Sequence, residues 1–554
     1  MKKILLISGG LCSGKSSLAK NLRKESNFHL IATSKVLIEN IKDKKKELTF
    51  NNIIEEGRLL DEETRSKWIL KLIKETMEDI SGSSKTEMRR SVDTNDLYVV
   101  VDSVNTLEQV NRVRARYGLR VVHVHLDVPR DVLKKRISNR FKHGTSTKYK
   151  FSLNDIDKFT VSPENEDLKK DADLVINTNN SDRSDTYVRV GARLELFAPP
   201  SHRCVDVLVG GQYGSEGKGQ IAAYLSNNYD VLVRVGGPNA GHSVVNSHGK
   251  YVYHHLPSGC KDTNAEVLIG PGAVVNPKNI LKEIKDCGLK EGRIFIDPQV
   301  MVITDSDIDS EASKIVGEIA STGSGSGSAA ARKILERGDS TLVLAKDVEE
   351  LKPYIGSTYD RLEYGYARGK KIMLEGTQGS ALSIHHGIYP FVTSRDTNVA
   401  GCLAEAGISP SRVRQIIMVV RSYPIRVANP DKENTTSGYI KSEIDFETIS
   451  KRSGVGSEEI KALEITSTTK RKRRVGEFDW TQYRKACALN APTDIVLTFS
   501  DYIDVVNKDA RRFEQLSEKT IKFIEELERV AHAPVTLIST RFNERAIIDR
   551  RDWW

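Results

Sequence analysis

Cysteine is scarce in this chain and long apolar runs are missing. The six cysteines (Cys12, Cys204, Cys260, Cys287, Cys402 and Cys487) are dispersed through 554 residues with no Cys-x-x-Cys pair. That spacing argues against a disulfide framework and against a zinc site, and a reducing cytoplasm is the expected compartment. No apolar stretch is long enough to span a bilayer, so no membrane partner is expected. The opening Met1–Ile7 looks briefly like a secretory leader, but its apolar run stops at Ser8, Gly9 and Gly10, short of what a leader needs. Disorder is excluded as well, because 38% apolar and 29% charged residues fit a soluble globular protein. The net charge of +9 suits anionic ligands such as nucleotides and does not by itself indicate nucleic-acid binding.

At 554 residues the chain exceeds one ordinary domain, and about two to four are expected. Two segments start alike, with a short apolar strand running into a glycine loop and then a helix. They are Ile4–Ile7 into Gly9–Ser16, and Val205–Val209 into Gly210–Gly219. Strand-like runs follow at Leu97–Val101 and Val121–Leu126, the latter leading into helix-forming Asp131–Arg140. Others lie at Val231–Val235, Lys371–Leu374, Ile416–Val420 and Ile495–Thr498. This alternation predicts an α/β protein with mostly parallel sheets and crossover helices. Between the two beginnings, Asn177–Arg203 is polar and carries the breakers Asn179–Asp182 and Pro199–Pro200. The expected organisation is a first domain over 1–183, a linker over 184–203 and a second domain over 204–554. The two glycine loops differ in design, which points to fusion of unlike domains and not to an internal repeat.

Gly9–Ser16 fits the pattern G-x-x-x-x-G-K-[ST], with the required strand before it and helix after it. Backbone N–H groups around Gly9 and Gly14 would hold phosphates, Lys15 would reach the β and γ oxygens, and Ser16 would ligate Mg2+. Asp102, closing a strand-like run, would orient the magnesium shell. Arg136 and Arg140 lie four apart on a helix and face either a transferring phosphoryl group or solvent; both readings are open. The order of these parts over residues 1–178 resembles the adenylate-kinase-like nucleoside-monophosphate kinases, with Asp171–Asn177 similar to the end of such domains. The resemblance implies an acceptor monophosphate, for which Arg58 and Arg65 are candidates by charge alone. A module that binds nucleotide in a regulatory role is an equal reading.

The second loop is of another kind. Counting back from Gly217 and Lys218 puts Gln212 at the first position of the pattern above, and Gly219 stands where Ser or Thr should be. Gly210–Gly219, Gly236–His242, Ser321–Ser328, Leu374–Gly379, Tyr389–Arg395, Thr468–Arg474 and Leu497–Asp501, in this order, resemble adenylosuccinate synthetase across 205–550. The resemblance implies a second P-loop-type α/β domain that condenses L-aspartate with the 6-position of a purine monophosphate, driven by a nucleoside triphosphate with Mg2+. It implies Lys218, His242 and Gln378 as catalytic residues beside Ser215. Gly214, Glu216, Gly217, Gly219, Asn239, Thr322, Thr393, Arg426, Asp501 and Ser539 would contact nucleotide or phosphate. Arg471 and Arg473 would grip the aspartate carboxylates, a task that suits the guanidinium fork. Ser215 and Gly241 would hold Mg2+. Arg332 stands where the family supplies an arginine across an interface, which implies a homodimer through the C-terminal domain and a further phosphate contact. By composition alone, Ser321–Ser328 would be a flexible linker and Thr468–Arg474 a nucleic-acid or localisation patch. His385 and His386 invite a metal reading, but adjacent residues of a strand face opposite ways, so none is expected.

Ser215 is the departure from the family. Its place is normally held by an aspartate that acts as base and magnesium ligand, and a hydroxyl cannot be a general base near neutral pH. Serine is also smaller and accepts a hydrogen bond from an exocyclic amine, so a 2-amino purine would fit where hypoxanthine is normally bound. Viral 2-aminoadenylosuccinate synthetases, which act on dGMP, show this serine and are similar in Thr393–Asp396 and Pro424–Val427 as well. Phe499 replaces the lysine of the family's guanine-reading segment and Arg541 replaces a glycine, so ATP and GTP are both candidate donors. The favoured reading is a ligase acting on GMP or dGMP with a fused monophosphate kinase. An ordinary IMP-using synthetase and a nucleotide-binding regulator or antiviral effector stay open.

Overall fold

The computed structural model describes residues 3–26, 28–83, 98–142, 163–179, 181–239, 241–247, 249–430, 434–465, 471–543 and 545–553. The chain divides into two compact units, Met1–Phe197 and Ala198–Trp554. In the first, strands β1 (Lys3–Gly9), β2 (His29–Ile31), β3 (Tyr98–Val101), β4 (Val121–Asp127) and β5 (Leu174–Asn177) form one sheet in the order β2-β3-β1-β4-β5. Every neighbouring pair is parallel. Alternation along β1 sends Ile4 and Leu6 into one core cluster and Leu5 and Ile7 into the other. Helices cover both faces, so the strands read as unbroken apolar runs. All four of these side chains are fully buried, each contributing about 1.5–3 kcal/mol of burial free energy.

The expected linker is in part a helix. Arg183–Arg193 is helical and starts with a capping box in which the Asp182 side chain accepts from Asp185 N and the Asp185 side chain from Asp182 N. The polar cluster that reads as a loop is therefore also a helix start signal. Val190 and Leu194 pack with Leu18, Ala19 and Leu22 on the first sheet.

In the second unit, β6 (Val205–Gly210), β7 (Val231–Arg234), β8 (Glu266–Ile269), β9 (Ile294–Ile296), β10 (Ile372–Glu375), β11 (Val413–Arg421), β12 (Asp494–Thr498), β13 (Val535–Ser539) and β14 (Ile547–Asp549) form a nine-stranded sheet. Its order is β9-β8-β7-β10-β6-β11-β12-β13-β14, parallel throughout except for the antiparallel edge strand β14. Val205, Val207 and Val209 face one core and Leu208 the other. Two small antiparallel additions matter for the site. The hairpin His242–Asn246 with Gly249–Tyr253 carries His242. The sheet of Ile425–Val427, Arg473–Gly476 and Glu443–Ile444 carries Arg426 and Arg473. The cysteines, dispersed in sequence, are less so in space, since the thiols of Cys260 and Cys287 share a hydrogen bond. Among the described residues no helix is long and apolar enough to cross a membrane.

If Arg183–Arg193 belongs to the first core, Val190→Ala should cost the first unit about 2 kcal/mol of stability. Calorimetry of the full chain should show the transition assigned to that unit moving down while the other stays.

Candidate active site

In the first unit the P-loop leaves the end of β1. Gly9 has φ 133°, and a side chain there would lie 2.4 Å from the Leu126 carbonyl oxygen, so the close β1–β4 approach requires glycine. Lys15 Nζ folds over its own loop and donates to the carbonyl oxygens of Gly9 and Gly10 at 2.6 and 2.9 Å. Burial lowers its pKa to about 8, against the opposing pull of Asp102. Asp102 Oδ1 accepts from Thr33 N and Thr33 Oγ1 at 3.0 and 3.2 Å, and burial raises its carboxyl pKa. Ser16 is exposed at the start of the helix, and Gly14 keeps a left-handed φ of 107°. Arg136 does not face solvent. It donates to Thr178 Oγ1 and to the carbonyl oxygens of Thr178 and Cys12, bracing the loop against the end of β5. The side chain of Arg140 lies outside the described residues. Arg58 is exposed and paired with Glu55 and Glu62 of its own helix, and Arg65 caps that helix at φ 49°.

In the second unit, β6, β7, β10, β11 and β12 all send the loops after their carboxyl ends to one cavity of about 310 Å3, the side of an α/β sheet where ligands bind. Gly214, Ser215, Gly217, Lys218, Gly219, Asn239, Gly241, His242, Thr322, Gln378, Thr393, Arg426 and Arg473 line it. Two orphan atoms mark it as a binding site. Thr322 Oγ1 and Arg426 Nη1 are buried on its wall and have no hydrogen-bond partner, bonds that a ligand would complete. The remaining Arg426 contacts go to the carbonyl oxygens of Ser437 and Phe391, and its guanidinium lies 4.7 Å from the Tyr213 ring centre. Gln378 Nε2 donates to Thr393 Oγ1 at 3.0 Å, joining the two segments that carry them. Ser321–Ser328 is not a linker but a loop entering the helix Ser326–Leu335, and the Glu311 carboxylate accepts from Gly325 N, Gly327 N and Ser328 N.

Five expected contacts stand elsewhere. Glu216 is behind the loop, where Oε1 accepts from Gln212 N and Gly214 N and Oε2 pairs with Lys218 Nζ at 2.6 Å. Arg332 is held by its own chain in a two-pronged pair with Asp307, Nε to Oδ1 at 3.2 Å and Nη2 to Oδ2 at 2.8 Å. Asp501 and Ser539 are buried and absent from the lining, and the half-buried Arg471 is absent from it too. His385 and His386 sit in a turn and not a strand, because Ser383 Oγ accepts from both of their N–H groups. Among the described residues no group of three or more His, Cys, Asp or Glu is placed to hold a metal ion.

Sequence reasoning missed the carboxylates that set the wall. Glu375 Oε1 meets His242 Nδ1 at 2.5 Å and Arg234 Nη1 at 2.8 Å, and both its oxygens accept from Ser258. Burial, then Arg234, lowers the His242 pKa to about 4 despite Glu375. The ring is therefore neutral at pH 7, with Nδ1–H donated to the carboxylate. Burial would raise Glu375, but Arg234 and His242 outweigh it and hold it at about 2. Glu464, just past the helix Ser457–Leu463, is a second such group. It is buried against Arg421, Arg473 and Tyr502.

Asp501 is buried with Oδ1 unpartnered, and burial raises its pKa to about 7 against Lys508. Between the ordinary aspartate value near 4 and pH 7, the folded state holds a proton that the unfolded state has released, so this carboxyl costs stability as pH rises through that window. Asp501→Asn should thus raise the melting temperature of ligand-free protein little at pH 4, increasingly up to pH 7, and by a constant amount above it. A benefit that shrinks as pH rises would refute this.

Comparison with known proteins matches this geometry. The family model described as adenylosuccinate synthetase matches residues 207–347 and 339–508. The adenylosuccinate synthetase of Methanocaldococcus jannaschii is 36% identical over 354 residues, covering 62% of this chain and 96% of that protein. The one from Pyrococcus horikoshii is 35% identical, covering 62% and 98%. Among solved structures, the cyanophage S-2L succinoaminodeoxyadenylate synthetase bound to dGMP and dATP is 27% identical, with a TM-score of 0.52 over 63% of this chain and 96% of that one. The fully ligated Plasmodium falciparum adenylosuccinate synthetase shares the fold at 21% identity and a TM-score of 0.54, covering 63% and 100%. Through its second unit, the chain belongs to the adenylosuccinate synthetase family.

Proposed function

We propose that this ligase joins L-aspartate to the 6-position of a guanylate, GMP or dGMP, and that the first unit is a monophosphate kinase. Ser215 carries the acceptor reading. Its hydroxyl stands on the cavity wall at φ 58°, within 3.4 Å of Arg473 Nη2, where the family's aspartate would place a carboxylate. A hydroxyl leaves room for a 2-amino group and accepts from it. The 27%-identical cyanophage enzyme, described with dGMP, supports the same reading.

The chemistry follows the family's course. N1 of the purine loses its proton, O6 attacks the γ-phosphorus of the triphosphate, and the diphosphate leaves. The aspartate amine then adds at C6 and expels phosphate. Lys218 and the glycine-loop N–H groups stabilise the transferring phosphoryl group. The proton lost from N1 passes to Nε2 of His242, which is fixed through Nδ1 on Glu375, and the imidazolium so formed stabilises the negative charge that grows at the 6-position. Arg473 grips the aspartate carboxylates, and Thr322, Thr393, Asn239 and Arg426 hold the monophosphate and its sugar. The Ser215 hydroxyl and the Gly241 carbonyl are hard oxygen donors that suit Mg2+ carried in on nucleotide phosphates. Bound there, the ion would neutralise charge on those phosphates.

An adenine-type donor is favoured, since the residue that would read guanine is not on the cavity wall. Phe499 and Phe542 put an aromatic wall on the cavity, their ring centres 6.2 Å apart and nearly parallel, while Asp501 stays behind it. An aromatic face accepts either purine, and the cyanophage protein is described with dATP. In the first unit, Lys15, Ser16 and Asp102 supply the parts of a phosphoryl-transfer site, with Mg2+ at Ser16. A homodimer remains part of the proposal.

Phosphate release with L-aspartate, crossing IMP, dIMP, GMP and dGMP against ATP and GTP, tests the acceptor and donor together. Guanylates with ATP should turn over fastest, and Ser215→Asp should shift the guanylate-to-IMP ratio of kcat/KM by about 10- to 100-fold toward IMP. Turnover of IMP alone by the unaltered protein would overturn the reading. Lys15→Ala should abolish phosphorylation of nucleoside monophosphates and spare the ligase, and absence of that phosphorylation in the unaltered protein would favour a regulatory first unit.

A further inference from the structure

The wall around Ser215 is organised by a carboxylate that touches neither the cavity nor any other residue assigned to the glycine loop. Glu464 is 2% exposed. Its Oε1 accepts from Arg421 Nη2 at 2.6 Å and from the Tyr502 hydroxyl at 3.0 Å, and its Oε2 accepts from Arg473 Nη1 at 2.9 Å. Burial alone would raise this carboxyl, but the two guanidinium groups outweigh it and hold the pKa at about 2.

The two arginines differ in what they do. Arg421 is fully buried, with its guanidinium 4.0 Å from the Phe499 ring centre and Nη1 donating to the Ser215 carbonyl oxygen at 3.4 Å. Arg473 lines the cavity, and its Nη2 reaches Ser215 Oγ at 3.4 Å. Two guanidinium charges against one carboxylate leave a net charge of +1. Arg421 is enclosed, so Arg473 is the cation of the pair that a ligand in the cavity meets. Nη1 is committed to Glu464, so Nη2 is the edge presented to a ligand. A buried carboxylate that clamps one edge of an arginine fixes the direction of the other, which is what selective recognition of a carboxylate requires.

Resting on the ligase reading above, we propose that Glu464 is a positioning residue for L-aspartate: it clamps Arg473 against Ser215 so that one guanidinium edge meets the substrate carboxylate, and through Arg421 it ties that edge to the Phe499 wall. A purely structural Arg–Glu–Arg cluster would lower the amount of folded enzyme without favouring one substrate. Positioning predicts a selective loss.

The test uses the full chain and three readouts. These are KM for each of the three substrates, kcat, and the Kd for L-aspartate in the presence of guanylate and a non-hydrolysable triphosphate. Glu464→Gln keeps the shape but weakens the clamp, and should raise both KM and Kd for L-aspartate roughly tenfold or more, the scale of a lost charge-assisted hydrogen bond. KM for the monophosphate should stay within about threefold. Tyr502→Phe removes only the hydroxyl that helps seat Glu464, and should raise the same two constants by about two- to fivefold. Should Glu464→Gln fail to fold, Tyr502→Phe decides. Aspartate constants within about twofold of the unaltered protein in the folded variants, or all three KM values moving together, would overturn the proposal. Failure of the ligase reading looks different, because then the unaltered protein itself binds no L-aspartate, and the assignment of Arg473 and Glu464 falls with it.

Discussion

One buried carboxylate holds the phosphate loop of the second unit in shape. Glu216 accepts from the N–H groups of Gln212 and Gly214 and pairs with Lys218, so a single side chain closes the turn and aims the lysine. The space around it is full. A side chain on Gly210 would lie 2.5 Å from the Gln378 carbonyl oxygen, 2.7 Å from Glu216 Oε2 and 2.8 Å from Lys218 Nζ. The loop after β6 and the loop after β10 therefore meet only because residue 210 is glycine. Gly217, at φ 86°, then turns the chain into the helix Lys218–Leu225, whose first N–H groups point at the same cavity.

The rest of the wall depends on the same device used twice more. Glu375 lies between Arg234 and His242, and Glu464 lies between Arg421 and Arg473. Losing one partner of such a buried cluster typically costs about 3–5 kcal/mol, because the remaining charge is stranded away from water. These clusters are costly ways to hold a fold. Their return is direction, since each carboxylate fixes a side chain whose other edge faces the cavity. His242 illustrates the gain: with Nδ1 spent on Glu375, the ring cannot rotate freely and its second nitrogen has a set direction.

Much of the fold was legible because parallel strands buried on both faces leave unbroken apolar runs, as in Ile4–Ile7 and Val205–Val209. The short strands Glu266–Ile269, Ile294–Ile296 and Val535–Ser539 give no such signal alone, and sheet neighbours decide them. The start of the expected linker reads as loop because Asn, Ser and Asp open loops and cap helices alike, and Asp182 does the second. At the site, glycine loops are legible since they are written in consecutive residues. Glu464 was not, because nothing local distinguishes it from the exposed Glu458 and Glu459 on the preceding turns. Its partners Arg421 and Tyr502 lie 43 and 38 positions away. A cluster assembled across that distance leaves no local pattern to read.

Ser215 takes on a sharper meaning in this setting. An aspartate at that place would face Arg473 as a counter-charge, and the pair would be close to neutral. With serine, Arg473 is balanced only by its share of Glu464, and the cavity wall keeps a net positive charge at the point where the reaction needs a base. On the guanylate reading, the loss of a carboxylate base is then partly offset by the field of the arginine, which stabilises the purine once its N1 proton has gone and lowers the pKa of that proton. The same field draws the two carboxylates of the substrate aspartate. A substitution that deletes proton-accepting chemistry from the loop thereby moves the burden of activation onto the electrostatics of the wall, and Glu464 becomes the group that decides how much of that charge the substrate feels.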